Sequence, residues 1–437
     1  MEDLMAARLQ MAISLAFHII FACVGIAMPF LMAIAHGLWL KTRKKVYYDL
    51  CKSWSKGVAI FFATGAVSGT ALSFELGLLW PNFMEHAGAI IGMPFSWEGT
   101  AFFIEAIALG IFLYGWNKIP DIIHWLSGLV VGISGVASAL FVVAANAWMN
   151  SPAGFDWVDG EAINIDPWAA MFNDAMLVMG VHMVIGAFQA TGFAVAGVHA
   201  WLLLKNPSNL LHQKALKIAL LIGSIAALVQ PLSGDFMARS TAKRQPVKLA
   251  AMEALFETRT HAPLLIGGIP DVESATNSYA IEIPGMLSFL LHHDSTKEVK
   301  GLNDYSRNLW PPVKIVHLAF QVMVACGMLM ILLACVYFFF LWKKKELILS
   351  PTFLRIASLF TPLGFIAIWA GWTVTEVGRQ PWIIYNIMFT KDALTPMPGL
   401  IYPFALFFTL YLFLFFVVSW LMLRQFKFIE TLGPWEE

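Results

Sequence analysis

Apolar stretches and short polar ones alternate along the chain, and nine of the apolar stretches are about as long as a bilayer is thick. A spanning helix needs about 20 mostly apolar residues. The stretches are residues 11–40, 57–79, 97–116, 122–148, 171–204, 214–231, 313–342, 353–375 and 399–423. Several are longer than a bilayer requires, so they tilt or protrude. The pattern predicts an all-α integral membrane protein with nine transmembrane helices. One polar stretch, 232–312, is long enough to form a water-exposed segment of its own. It divides the chain into residues 1–231 with helices one to six, the segment 232–312, and residues 313–437 with helices seven to nine. No internal repeat, low-complexity tract or interrupted helix is visible in the pattern.

Charge placement gives the orientation. The connection at 41–56 carries Lys41, Arg43, Lys44, Lys45, Lys52 and Lys56. The connection at 205–217 carries Lys205, Lys214 and Lys217, and that at 343–355 carries Lys343, Lys344, Lys345 and Arg355. The alternate connections 80–95 and 149–170 have neither Lys nor Arg. Positive residues concentrate on the cytoplasmic side. The N-terminus is therefore expected outside, the C-terminus with Arg424 and Lys427 inside, and the segment 232–312 outside. The opening residues MEDLMAARLQ lack the basic region of a cleaved signal peptide.

Composition agrees with the pattern. Only 13% of residues are charged, about half the share of a soluble globule. Net charge is zero, so no global field recruits nucleic acid. Cys23, Cys51, Cys326 and Cys335 form no C-x-x-C, which argues against a covalent c-type haem and a zinc ribbon.

Against so apolar a background, ionisable side chains inside the helices stand out. Each costs about 2.5–3.5 kcal/mol to insert and so invites a functional reading. They are His18, Glu75, Glu98, Glu105, His182, His199 and, at a helix end, Glu376. His182 lies about 11 residues into the fifth stretch and Met323 about 10 into the seventh, both counted from the outer end. At 1.5 Å per residue both are roughly 15 Å deep. A His and a Met at one depth could cap the two faces of a haem. A core His bonded to a carbonyl and a gap-filling Met would give the same spacing. His18 sits two turns into the first stretch, where an interhelical hydrogen bond is the alternative role. His36 follows beside the inner basic connection and is expected at the interface.

Glu98 and Glu105 are seven residues apart, so they project from one helix face about 10 Å apart. Two carboxyls in file suit a proton relay; a pair of interhelical glue residues fits as well. Glu376 ends the eighth stretch, one turn after Trp372 and close to Arg379. It could serve an iron or form a plain salt bridge. In the outer segment, QPVKLAAMEALFETR reads as a short amphipathic helix carrying Lys248 and Glu253. A quinol losing two protons needs such a base and donor, although most Lys/Glu pairs on such helices are only solvated.

Five segments together, ARLQMAISLAFH, WEGTAFFIEA, SALFVVAANAWMNSP, QPVKLAAMEALFET and GWTVTEVGRQPW, resemble subunit I of the cytochrome bd-type quinol:oxygen oxidases. The resemblance runs from the first helix through the eighth. It implies a haem-bearing subunit of a respiratory terminal oxidase, which oxidises quinol outside, reduces oxygen to water and builds a proton gradient without pumping. It implies His18 as an axial haem ligand, His182 and Met323 as the ligands of a low-spin haem b, and Glu376 serving a high-spin haem with Trp372 and Arg379 nearby. Glu98 and Glu105 match the proton path, and Lys248 with Glu253 the quinol site. The implied cofactors are a low-spin haem b, a high-spin haem b, and haem d or a third haem b. The implied partners are a second polytopic subunit, a small single-span subunit, quinol, oxygen and lipid, in a bacterial cell membrane. Two departures stand out. Gln321 occupies the position where the family usually has Arg, which suggests a shifted potential for the Met323 haem. The outer segment is also of the short type. A haem-binding anchor that passes electrons without reacting with oxygen, and a proton-coupled transporter, are the rival functions.

Overall fold

Nine helices among the described residues are long and apolar enough to cross a bilayer. The computed structural model describes residues 2–158, 160–430, 432 and 435. The first four helices are α1 (Asp3–Thr42), α2 (Lys45–Leu79), α3 (Pro81–Tyr114) and α4 (Asp121–Asn150). The hairpin β1 (Asp156–Val158) and β2 (Glu161–Ile163) follows, and then the short α5 (Pro167–Met171). The next spans are α6 (Met176–Lys205) and α7 (Leu210–Arg244). The segment 232–312, beyond the apolar part of α7, holds α8 (Pro246–Met252), the hairpin β3 (Leu264–Asp271) and β4 (Thr276–Ile283), and α9 (Met286–His292). The chain returns through α10 (Val313–Lys343), α11 (Pro351–Leu359) and α12 (Leu363–Val377). The hairpin β5 (Trp382–Ile384) and β6 (Met388–Phe389) leads into α13 (Ile401–Glu430).

Several boundaries differ from the hydropathy pattern: α2 starts at Lys45 rather than at 57 and α3 at Pro81 rather than at 97, so the polar connections there are largely helical. The fifth span begins at Met176, because Asp166 caps α5 through the amides of Trp168 and Ala169 and a turn intervenes. The sixth runs on to Arg244, because PLSGDFMARSTAKR loses hydrophobicity without gaining a helix breaker after Pro231. The eighth is interrupted between α11 and α12, so the expectation of unbroken helices fails there. The break fits close packing: a Cβ on Gly364 would stand 2.3 Å from Ala190 Cα, and one on Gly197 would stand 2.1 Å from Thr361 Oγ1. Small residues let helices approach this closely in a membrane, where apolar burial gives little drive for association.

Helices joined by short turns pack in pairs, α1 with α2, α3 with α4, and α6 with α7, while α10 packs on α12. α1 also touches α4, α6 and α13, which makes it the axis of the bundle. The outer segment is fastened to the top of α10. His317 Nδ1 and Nε2 lie 2.8 and 3.1 Å from the carbonyls of Met252 and Gly267. One turn on, the Gln321 amide accepts from Gly267 N and donates to Leu265 O, both at 3.0 Å.

Candidate functional site

Two histidines inside the bundle are held alike. His18 Nδ1 is 3.0 Å from Ser68 Oγ on α2, and that hydroxyl donates to Thr64 O at 2.8 Å. His182 Nδ1 is 3.0 Å from Ser233 Oγ on α7, and that hydroxyl donates to Gln230 O at 2.8 Å. With its hydrogen spent on a carbonyl, each serine oxygen accepts from Nδ1–H. Both rings are thereby fixed as the tautomer whose Nε2 is bare, the form that ligates a metal. Gln230 Nε2 donates to His182 O at 3.2 Å and lies 3.3 and 3.4 Å from the two ring nitrogens. Glycines make room for the rings: a Cβ on Gly69 would stand 3.0 Å from His18 Cε1, and one on Gly234 would stand 3.8 Å from His182 Cε1. A third glycine, Gly371 on α12, plays the same part for Met323 of α10, whose sulfur is 3.0 Å from the would-be Cβ. Among the described residues no three His, Cys, Asp or Glu side chains converge as a metal site. Iron at these single histidines would need its equatorial ligands from a macrocycle.

An apolar cluster lies among these centres. Ile19 and Cys23 of α1, next to His18, share it with Ala187 and Met183 of α6, next to His182, and with Trp372 of α12. Trp369 Nε1 donates to Ala16 O at 2.7 Å and ties α12 to α1.

Glu376 closes α12 within a polar chain that sequence reasoning missed. Asn146 Nδ2 donates to Glu376 Oε1 at 2.5 Å, and the Arg379 guanidinium donates to Oε2 at 2.5 Å. Asn150 Nδ2 donates to Asn146 O at 2.9 Å, and Lys248 Nζ donates to Asn150 Oδ1 at 2.8 Å. The chain runs from the outer segment to the end of α12 without leaving the protein. Arg379 is 3% exposed, yet its Nε and Nη1 have no partner in the chain. Buried guanidinium donors aimed at nothing fit an anionic group such as a haem propionate. Asn146 and Asn150 sit four apart in SALFVVAANAWMNSP, a spacing that places two amides on one face of a membrane helix; that was their signal.

Lys248 and Glu253 are 6% and 5% exposed, so neither is a solvated surface charge. The structure does not join them directly. α8 stops at Met252, and five residues of helix put the two side chains about 140° apart. Burial and the neighbouring Arg379 pull Lys248 down to about 7, against the attraction of Glu376. Burial pushes Glu253 up to about 8, and its Oε2 has no partner. A cavity of about 20 Å³, room for one water, borders Lys248, Asn150, Arg244 and Thr375.

Glu98 and Glu105 lie on α3 facing α4. Ser138 Oγ donates to Glu98 Oε1 at 3.4 Å. Glu105 Oε1 lies 3.9 and 3.6 Å from where Cβ atoms on Gly25 of α1 and Gly135 of α4 would stand. Two sequence expectations change. His36, expected at the interface beside the inner basic connection, has its side chain fully buried within the protein. Gln321 is engaged on β3, and a helix turns about 200° over two residues, so its amide is not turned toward the Met323 side.

The sequence profile described as cytochrome bd terminal oxidase subunit I matches residues 6–429. A Bacillus subtilis (strain 168) chain provisionally named cytochrome bd menaquinol oxidase subunit I is 36% identical over 435 residues, which cover 98% of this chain and 97% of that one. A second chain of that strain, cytochrome bd ubiquinol oxidase subunit 1, is 31% identical and covers 98% of this chain and 94% of its own. The structure of bd oxidase from Geobacillus thermodenitrificans contains a chain that matches with TM-score 0.93 at 37% identity, covering 98% of both.

Proposed function

Because the chain belongs to the cytochrome bd terminal oxidase subunit I family, we propose that its serine-anchored histidines hold the haems through which it passes quinol electrons to oxygen. The family is one of membrane-embedded respiratory quinol oxidases, and haem is its cofactor. The transporter and the oxygen-inert anchor are thereby set aside. The observation that carries the residue-level reading is the shared geometry of His18 and His182, each presenting a bare Nε2 inside the membrane.

In this reading His182 and Met323 ligate a low-spin haem b, and His18 and Glu376 serve a high-spin pair, one haem b with haem d or a further haem b. When bound, the haems supply one-electron transfer and an iron that binds oxygen. The protein supplies positions and protons. Arg379 pairs with Glu376 and offers its spare donors to a propionate. Lys248 and Glu253 take the quinol protons on the outer side. A neutral Lys248 amine accepts the first from the hydroxyl, and Glu253 in its carboxylate form accepts the second. Both then release their protons outward. Glu105 and Glu98, bridged toward α4 by Ser138, pass protons from the inner side toward the oxygen site. Uptake inside and release outside build the gradient without a pump.

The basic connections set the N-terminus outside and the C-terminus inside. The segment 232–312 is then the outer quinol-oxidising part, between the helices of 1–231 and those of 313–437. A second polytopic subunit, and a small single-span one, complete the oxidase in a bacterial cell membrane. The test is a purified complex given quinol and oxygen. Met323→Ala should remove a sharp reduced α-band and most oxygen consumption while high-spin absorbance stays. An unchanged α-band would remove Met323 from the ligand set.

A further inference from the structure

His36 has no place in the scheme above, yet it is a buried side chain with every polar atom unpaired. It is 0% exposed, and neither ring nitrogen has a partner in the chain. Leaving buried donors or acceptors unpaired forfeits their hydration without replacement, so an unpaired buried imidazole needs an explanation. Its walls are aromatic: Trp39, Phe112 and Trp116 at 5.4, 5.8 and 5.4 Å between ring centres. The fourth wall is His124 of α4 at 4.9 Å, whose Nε2 is 2.7 Å from Phe112 O. The two imidazoles pack too closely for a haem to stand between them, so they are not a third haem site.

Their place in the fold gives the explanation. Glu98, Glu105 and Phe112 follow one another at seven-residue intervals on α3, nearly one face, about 10 Å per step. On α4, Ser138 meets Glu98, Gly135 meets Glu105, and His124 meets Phe112. On α1, Gly25 meets Glu105 and His36 meets Phe112. From Gly25 to His36, and from His124 to Gly135, is eleven residues, a whole number of turns to within about 20°. Three helices thus line one seam. The histidine pair occupies its inner end, one step below Glu105 and five residues before Lys41. Phe112 and Phe30 fill the notches of Gly128 and Gly132 between the two levels.

We propose that His36 and His124 are the inner proton-entry site of this seam, collecting protons from the inner aqueous phase and handing them to Glu105. The inference rests on the reading of Glu105 and Glu98 as the proton path. Hydronium gives a proton to a bare nitrogen of His36: its O–H bond breaks, water is left, and the imidazolium forms. That N–H bond breaks as the proton passes along the seam beside the Phe112 ring to the Glu105 carboxylate. His36 returns to the neutral form, and no electron moves in the step. The aromatic walls suit the transient cation. The other ionisable groups facing the pair are Asp121, 2.6 Å from Arg43 in an exposed ion pair, and Tyr48, which packs on Trp39 and Trp116. Both groups serve as a fixed background.

The test uses the intact oxidase complex with quinol. His36→Leu should keep the haem spectrum and the rate at which quinol reduces the haems. Steady-state oxygen consumption should fall at least about a hundredfold, the low end for loss of a positioned proton-transfer group. The deficit should widen from pH 6 to pH 9 as protons become scarce, and added imidazole should restore several-fold of it. Wild-type turnover and pH profile in His36→Leu overturn the proposal. So does a slow variant that imidazole does not rescue, because that marks a structural role. If His36→Leu does not assemble, His36→Gln, which keeps the size and polarity, is read by the same criteria. Glu105→Gln separates the two readings. If it is slow while the His36 variant is fast, entry lies elsewhere and the Glu105 path stands; if both are fast, both readings fall.

Discussion

The interior of the bundle and its outer segment carry chemistry in opposite ways. Inside, each candidate ligand is a single side chain made specific by one neighbour: Ser68 for His18, Ser233 for His182 and Gly371 for Met323. In the segment 232–312, the candidate quinol residues Lys248 and Glu253 depend on what the tertiary fold wraps around them. Lys248 is buried on Asn150, and Glu253 is buried without a partner. Helix geometry alone aims a ligand into the membrane, whereas the outer site depends on α10 gripping the segment through His317 and Gln321. The polar chain from Lys248 through Asn150 and Asn146 to Glu376 is where the two regions meet.

The largest effects should come from separating the regions by function. Glu253→Gln or Lys248→Met should cut quinol oxidation by about 10²–10⁴-fold, the range for a positioned acid–base group, with every haem band retained. Oxygen consumption driven by an artificial one-electron donor that bypasses the quinol site should persist. Haem loss in these variants would mean that the outer segment is structural.

The pH profile sharpens the same point. Lys248 is held down to about 7 and Glu253 up to about 8, and each accepts a proton only when deprotonated. Quinol oxidation should therefore rise from pH 6 to above pH 8. In Glu253→Gln the upper part of the rise should vanish, leaving the step near 7. A profile that falls over this range would contradict the assignment of bases.

Next in size are the anchors inside. Ser68→Ala and Ser233→Ala remove the hydrogen bond that fixes each ring, a change that typically costs about 10–100-fold in metal affinity. Each should loosen retention of its own haem on dilution or competition with apo-globin and leave the other unaffected. Equal loss of both would mean general unfolding. Smallest should be Gln321→Ala. It deletes two hydrogen bonds to β3, each worth about 1 kcal/mol. Hydrogen exchange in Leu264–Asp271 should quicken, with only a modest change in quinol affinity. A large shift in haem potential instead would return Gln321 to the haem.

What could be read from the sequence follows the same division. The nine spans were visible because a bilayer demands unbroken apolar length, and His18, His182, Glu98 and Glu105 because polar groups are rare there. Ser68 and Ser233 were not visible, since serine is common in membrane helices and only its partner marks it. The hairpin β3–β4 was also hidden. It is held by Gln321 and His317, some 50 residues downstream, and positive φ at Gly267, Gly268 and Ala275 shapes it locally. The reach of α7 to Arg244 was lost because hydropathy reports the edge of the membrane and not the end of a helix.

The central claim is that His18 and His182 each hold a haem of their own. Reduced-minus-oxidised spectra with haem-to-protein ratios for His18→Ala and His182→Ala, measured on the same purified complex, test it most directly. The account predicts that His182→Ala loses the sharp low-spin band, that His18→Ala loses high-spin absorbance, and that each ratio falls by one haem. Full haem content with both bands intact in either variant would contradict it.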